Sequence, residues 1–143
     1  MKQFSIGTSG HESIVLSVNR YEREPSGEFF DDNWLCCTVA VRAGELGGEF
    51  QASLLTAELE ELRQGLMQLY DTLQGECVFE PMEKQLVLRV ACDRLGAIRV
   101  TGAATPQPGS GNSLSFDLAM DQTCLKRAFD DLSDVMQAFP VRE

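Results

Sequence analysis

The sequence is poor in residues that commonly perform chemistry, and it has a single histidine in 143 residues. This histidine, His11, lies in a polar N-terminal segment, and no local signature ties it to a serine or cysteine nucleophile. Metal sites usually draw on clusters of histidine and cysteine, and no such cluster is evident here. We therefore expect no catalytic triad, no metal site and no bound cofactor.

Positive charge is also scarce, because 12 lysine and arginine residues face 22 aspartate and glutamate residues and the formal net charge is −10. Binding to nucleic acid or to anionic lipid depends on cationic side chains that neutralise phosphates. We therefore expect neither nucleic acid nor a membrane as partner. A basic protein would be attracted, although acidity of this kind also serves simply to keep a protein soluble.

The cysteines lack the spacing of a metal site or a disulfide framework. Their number is odd and no CxxC pair occurs, which predicts free thiols in a reducing cytosol. The N-terminal segment lacks the apolar run of a signal peptide, and nowhere do about 18 apolar residues follow one another. These observations predict a cytoplasmic protein. The cysteines are Cys36, Cys37, Cys77, Cys92 and Cys124.

Two kinds of apolar periodicity are present along the chain. Alternating apolar residues predict strands around 13–19, 35–41, 50–54, 77–79, 86–92, 98–100 and 114–120. Apolar residues at steps of three and four predict helices over 56–74 and 121–138, with Thr56 and Asp121 as N-caps. We expect one α+β domain over residues 1–143, with a mostly antiparallel sheet of about six or seven strands and two helices packed on one face. The order of elements suggests a duplicated layout.

Carboxylates are plentiful enough that three pairs come into question as general acid and base. Each pair has a simpler interpretation as a turn, a strand junction or a helix cap, so we expect no catalytic residue and no enzyme activity. The pairs are Asp31/Asp32, Glu80/Glu83 and Asp117/Asp121.

The segment from Tyr21 to Trp34 is the best candidate for a partner-binding surface. It combines five carboxylates with two adjacent phenylalanines in a loop-like stretch that contains Pro25 and Gly27. Trp34 either anchors the sheet or serves as a contact for a basic protein surface. The candidate residues are Glu22, Glu24, Glu28, Phe29, Phe30, Asp31 and Asp32.

Several short segments occur in an order that resembles a known family. They are DDNWL before a strand, LLTAELEEL at a helix start, FEPMEKQLVL, LGAIRVTG, LSFDLAMDQTCL and the terminal FPVR. In this order they resemble the bacterial immunity proteins of the WapI family and related proteins, over about residues 12–142. The resemblance implies a small cytoplasmic protein of a toxin system that binds and neutralises a cognate toxin without catalysis.

The resemblance transfers a fold more than a site, because the matching positions carry no assigned role. Alanine stands at position 97, after Gly96, where the family pattern suggests a polar residue. A housekeeping interaction domain of the same fold with an unrelated partner remains the alternative, and the oligomeric state is open. The matching positions are Asp32, Asn33, Trp34, Leu35, Pro81, Glu83, Asp121, Gln122 and Leu125.

Overall fold

The computed structural model describes residues 1–143, apart from the side chain of Ser9. Each half of the chain runs through four strands into one long helix. The first half comprises β1 (Lys2–Ser9), β2 (Glu12–Tyr21), the short α1 (Phe29–Asp32), β3 (Trp34–Ala43), β4 (Leu46–Leu55) and α2 (Thr56–Thr72). The second half comprises β5 (Gly75–Phe79), β6 (Leu86–Cys92), β7 (Ile98–Ala104), β8 (Leu114–Met120) and α3 (Gln122–Ala138).

The strands form two antiparallel sheets of four strands each, in the orders β1-β2-β3-β4 and β5-β6-β7-β8. The prediction of a single sheet with six or seven strands was therefore wrong. Alternation identifies a strand but not its neighbour, and α2 separates β4 from β5, so that a second sheet begins after it. The prediction also missed β1, whose Phe4 and Ile6 are buried although the surrounding N-terminal residues are polar.

The two long helices do not share one face of one sheet, which is a second correction. Helix α2 ends the first half but packs along β5 of the second, whereas α3 ends the second half and packs along β1 of the first. The two helices also pack against each other. The inward-facing side chains of both sheets and both helices form one hydrophobic cluster. Within the described part of the chain, no helix is both long and apolar enough to cross a membrane.

The predicted N-cap is correct for α3 and wrong for α2. The Asp121 carboxylate accepts a hydrogen bond from the Cys124 N–H at 2.9 Å, which confirms the predicted N-cap of α3. For α2 the cap position is Leu55, and the Glu58 carboxylate accepts the Leu55 N–H at 2.8 Å. Thr56 is the first helical residue, so its assignment as N-cap was wrong. Helix α2 ends at Thr72, and its C-cap residue Leu73 lies in the left-handed region at φ 52°.

Close contact between α2 and β5 depends on a glycine inside the helix. A Cβ atom at Gly65 would lie 2.5 Å from the Cys77 Sγ, which is a distance that no unstrained contact reaches. Cys77 is itself buried in the core on β5. The absence of a side chain at Gly65 therefore lets the helix approach the second sheet, at the cost of lower helix propensity.

We predict that Gly65→Ala destabilises the protein by about 1–3 kcal/mol, because the new methyl group overpacks against the Cys77 sulfur. In a Cys77→Ala background the sulfur is gone, and the same change should instead stabilise by about 0.5–1 kcal/mol through higher helix propensity. Urea unfolding of the four proteins in a double-mutant cycle measures both values. An equal effect of Gly65→Ala in the two backgrounds would contradict this packing account.

Candidate partner-binding site

The candidate residues lie in the connection between β2 and β3, residues 22–33, which we call the acidic loop. Phe29 and Phe30 are 55% and 51% exposed, at the start of the short helix α1. Glu22, Glu24 and Glu28 are exposed as well. Phe30 contacts Trp34 edge to face, with ring centroids 6.2 Å apart. The acidic loop thus presents aromatic and acidic side chains on the same short stretch of surface.

Asp32 differs from the other six candidates because it is 6% exposed. Its carboxylate accepts hydrogen bonds from the backbone N–H groups of Ser26 and Gly27 at 2.9 Å, and from the Ser26 hydroxyl at 2.8 Å. Desolvation acts to raise the pKa of Asp32, but these hydrogen bonds outweigh it and the pKa is lowered. Asp32 therefore shapes the loop from within, and its burial does not fit a role on a partner surface.

Asn33 is 2% exposed and connects three separate parts of the chain. Its side-chain Nδ2 donates to the carbonyl of Phe29 at 2.7 Å and to that of Arg142 at 2.9 Å. Its Oδ1 accepts the Thr56 hydroxyl at 2.6 Å and the Arg142 N–H at 2.8 Å. All four hydrogen-bonding positions of the amide are therefore filled. The acidic loop, the start of α2 and the C-terminal segment are joined at this side chain.

The C-terminal segment reinforces the base of the loop through Arg142. Its guanidinium carbon lies 3.5 Å from the centroid of the Tyr21 ring, and its Nη1 donates to the carbonyl of Arg23 at 3.0 Å. The Tyr21 hydroxyl donates to the carbonyl of Pro140 at 2.5 Å. Desolvation raises the pKa of Tyr21, against the opposing effect of Arg142. These contacts hold the start of the acidic loop on the sheet, and the bond from the Arg142 N–H to Asn33 holds its end.

A second loop, around residues 80–85, completes the surface beside the acidic loop. The Glu58 carboxylate accepts the Met82 N–H at 2.6 Å, and Met82 is 58% exposed. An open pocket of about 420 Å³ lies between the two loops, and its lining includes Glu22, Asp31, Trp34 and Glu83. No sequence pattern indicates that these residues are neighbours, because Glu83 follows Asp31 by some fifty residues and no periodicity links them.

Five of the six carboxylates that came into question for catalysis have structural partners, namely Asp31, Asp32, Glu80, Asp117 and Asp121. Asp31 pairs with Arg23 at 3.5 Å, Glu80 with Lys84 at 3.7 Å and Asp117 with Arg99 at 2.9 Å, all on the surface. Among the described residues, no group of three or more His, Cys, Asp or Glu side chains is arranged to hold a metal ion. The arrangement is an exposed surface that carries negative charge.

Comparison with known proteins identifies the family. The immunity protein WapI-like family matches residues 4–140. The chain belongs to this family. No curated protein matches the sequence. Among solved structures, that of the plant transcriptional regulator PBF-2 is similar with a TM-score of 0.57 and 13% identity, covering 96% of this chain and 81% of that chain. At this identity the likeness concerns the fold alone.

In this WapI-like protein, the segments that carry the family resemblance meet in space. Asn33 of DDNWL contacts Thr56 of LLTAELEEL and Arg142 of FPVR. Glu58, from the same helix start, holds Met82 of FEPMEKQLVL. These segments therefore form the frame beneath the exposed surface.

We predict that Asn33→Ala lowers the free energy of unfolding by about 2–4 kcal/mol, because it leaves buried donors and acceptors without partners. Asn19→Ala is the matched control, since the Asn19 amide donates a single hydrogen bond at 3.0 Å to the half-buried Thr38. That change should cost less than about 1 kcal/mol. Urea denaturation compares the two variants, and equal losses would show that Asn33 is not a special junction.

We predict that the stabilising effect of the Asp32 charge disappears in acid. The folded-state pKa lies below the ordinary value of 3.8, so the contribution is present above pH 3.8 and is lost as the pH falls through the folded-state pKa. Asp32→Asn imitates the protonated carboxyl. The stability difference between wild type and Asp32→Asn should therefore be largest near neutral pH and shrink at low pH, as measured by urea unfolding across pH. A difference that stays constant with pH would contradict the assignment.

Proposed function

We propose that this protein binds and neutralises a cognate bacterial toxin by direct contact, acting in the cytoplasm and without catalysis. Membership of the WapI-like immunity family over residues 4–140 is the observation that carries the proposal. The surface supports it, because exposed carboxylates and aromatic side chains lie together on a loop that a buried frame holds in place. Aromatic side chains, including phenylalanine, are enriched at protein interfaces.

The charge of the protein favours a toxin domain with a basic surface. The net charge is −10, and the acidic loop alone carries the exposed Glu22, Glu24 and Glu28 together with Asp31, whose side chain is 51% exposed. Such a field attracts a basic partner at long range and increases the association rate more than it increases the affinity. The same negative field disfavours nucleic acid as an alternative partner.

Co-expression tests the proposed function. The chain should restore growth to cells that produce the toxin domain encoded beside its own gene, and the two purified proteins should form a stable complex. Failure of both would contradict the toxin-immunity role and leave the alternative, an interaction domain of the same fold with an unrelated partner.

We predict that Glu22→Gln, Glu24→Gln and Glu28→Gln together slow association with this toxin domain about tenfold at low salt, with little effect at high salt. The matched control neutralises three exposed carboxylates on the helices, in Glu61→Gln, Asp71→Asn and Asp134→Asn, and changes the net charge equally. Stopped-flow kinetics measures both variants. Equal slowing would mean that overall charge, not the acidic loop, steers association.

A further inference from the structure

The two sheets have outer faces of different chemistry, although the halves share one architecture. We call the sheet formed by β1–β4 the first sheet and the sheet formed by β5–β8 the second sheet. In the first sheet the buried residues of each strand alternate with outward-facing ones, and the strand register aligns the outward-facing residues in rows. Eleven of these, which we call the platform, carry no charge. They are Gln3, Ser5, Ser13, Val15, Ser17, Asn19, Cys36, Thr38, Ala40, Gln51 and Ser53.

Hydrogen bonds tie the platform side chains to each other across all four strands. Ser17 donates to Gln3 at 3.3 Å between β2 and β1, and Asn19 donates to Thr38 at 3.0 Å between β2 and β3. Gln51 on β4 donates to Thr38 at 3.2 Å. Five of the eleven platform side chains take part in these bonds, namely Gln3, Ser17, Asn19, Thr38 and Gln51. Charged residues lie only at its margins, at Arg20, Arg42 and Glu49.

The outer face of the second sheet carries exposed ion pairs and provides the comparison for the platform. At the corresponding positions Arg89 pairs with Glu76 at 3.5 Å, and Arg99 pairs with Asp117 at 2.9 Å. All four side chains are largely exposed. The platform is therefore an uncharged outer face on a protein whose other sheet carries exposed ion pairs. Depletion of charge is the compositional mark of the centre of a protein interface.

The platform is continuous with the acidic loop. Trp34 continues the same outward-facing row of β3, and both Trp34 and Ser53 line the pocket that Glu22 and Asp31 also line. A charge-depleted centre with a polar, solvent-accessible rim is the usual anatomy of a specific interface. A second copy of the chain would bring another net charge of −10 against this surface, so the charge favours a basic partner instead.

We propose that the toxin domain lies flat on the platform, with its basic edge against the acidic loop. This inference rests on the proposed function and assigns the interface to one face of the molecule. The acidic loop then governs the rate of association, and the platform governs how long the complex lasts.

Ala40→Arg tests the platform, with Ala103→Arg as its matched control. Both alanines are half-buried, face outward and occupy the third strand of their sheets, so each change adds the same bulk and charge. With the toxin domain encoded by the neighbouring gene as probe, Ala40→Arg should speed dissociation at least tenfold at every salt concentration. Ala103→Arg should bind as wild type does. Circular dichroism and urea unfolding of both variants identify any loss of fold.

The possible outcomes separate the two proposals. If wild type binds the toxin domain and both variants bind equally well, the platform assignment is wrong while the proposed function stands. If wild type does not bind the toxin domain, both the platform assignment and the proposed function are wrong. If wild type alone forms a dimer that Ala40→Arg dissociates, a second copy occupies the platform and the assignment to the toxin is overturned. If Ala40→Arg unfolds, Ala40→Gln takes its place, with Ala103→Gln as control and the same expectations.

Discussion

One buried side-chain amide determines how the exposed surface of this protein is held. Asn33 uses all four of its hydrogen-bonding positions, and its partners belong to the acidic loop, to the start of α2 and to the C-terminal segment. A buried polar group with every bond satisfied fixes a unique arrangement, whereas a partly satisfied one is costly. The acidic loop can therefore carry exposed phenylalanines and repelling carboxylates without losing its shape.

The second constraint is the exchange of helices between the halves. Each sheet is covered on its inner side by elements of the other half, because α3 packs along β1 and α2 along β5. Neither half can then bury its apolar residues alone. The outer faces of the sheets are free of helices, and their chemistry can differ without affecting the core. Ion pairs occupy the second face, and the uncharged platform occupies the first.

The sequence predicted local structure well where one periodicity dominated. The leucine spacing of α2, the Asp121 cap and the alternation within the strands all have local causes. The pairing of the strands could not be predicted, since register depends on contacts between distant residues. Strand β1 was missed because only Phe4 and Ile6 show its pattern. The prediction of Thr56 as N-cap was wrong because its hydroxyl donates a hydrogen bond to Asn33, 23 residues earlier in the chain.

The candidate site was predictable in part. The exposed aromatic and acidic residues of the loop were found from composition, but Asp32 resembles its neighbour Asp31 in sequence and differs only in the fold. In the sequence the platform consists of polar positions in alternating strands, a pattern that indicates no more than a solvated sheet face. Its significance depends on the comparison with the charged second sheet, which required the register of both sheets.

Cysteine labelling tests most directly whether the toxin domain covers the platform. Cys36 lies half-buried on the platform, whereas burial raises the pKa of the adjacent Cys37 to about 12 and keeps that thiol unreactive. Cys92 and Cys124 are half-buried elsewhere and serve as internal controls. In complex with the toxin domain, alkylation of Cys36, followed by mass spectrometry, should slow strongly while Cys92 and Cys124 react as in the free protein. Unchanged alkylation of Cys36 in a complex that has formed would contradict the proposed interface.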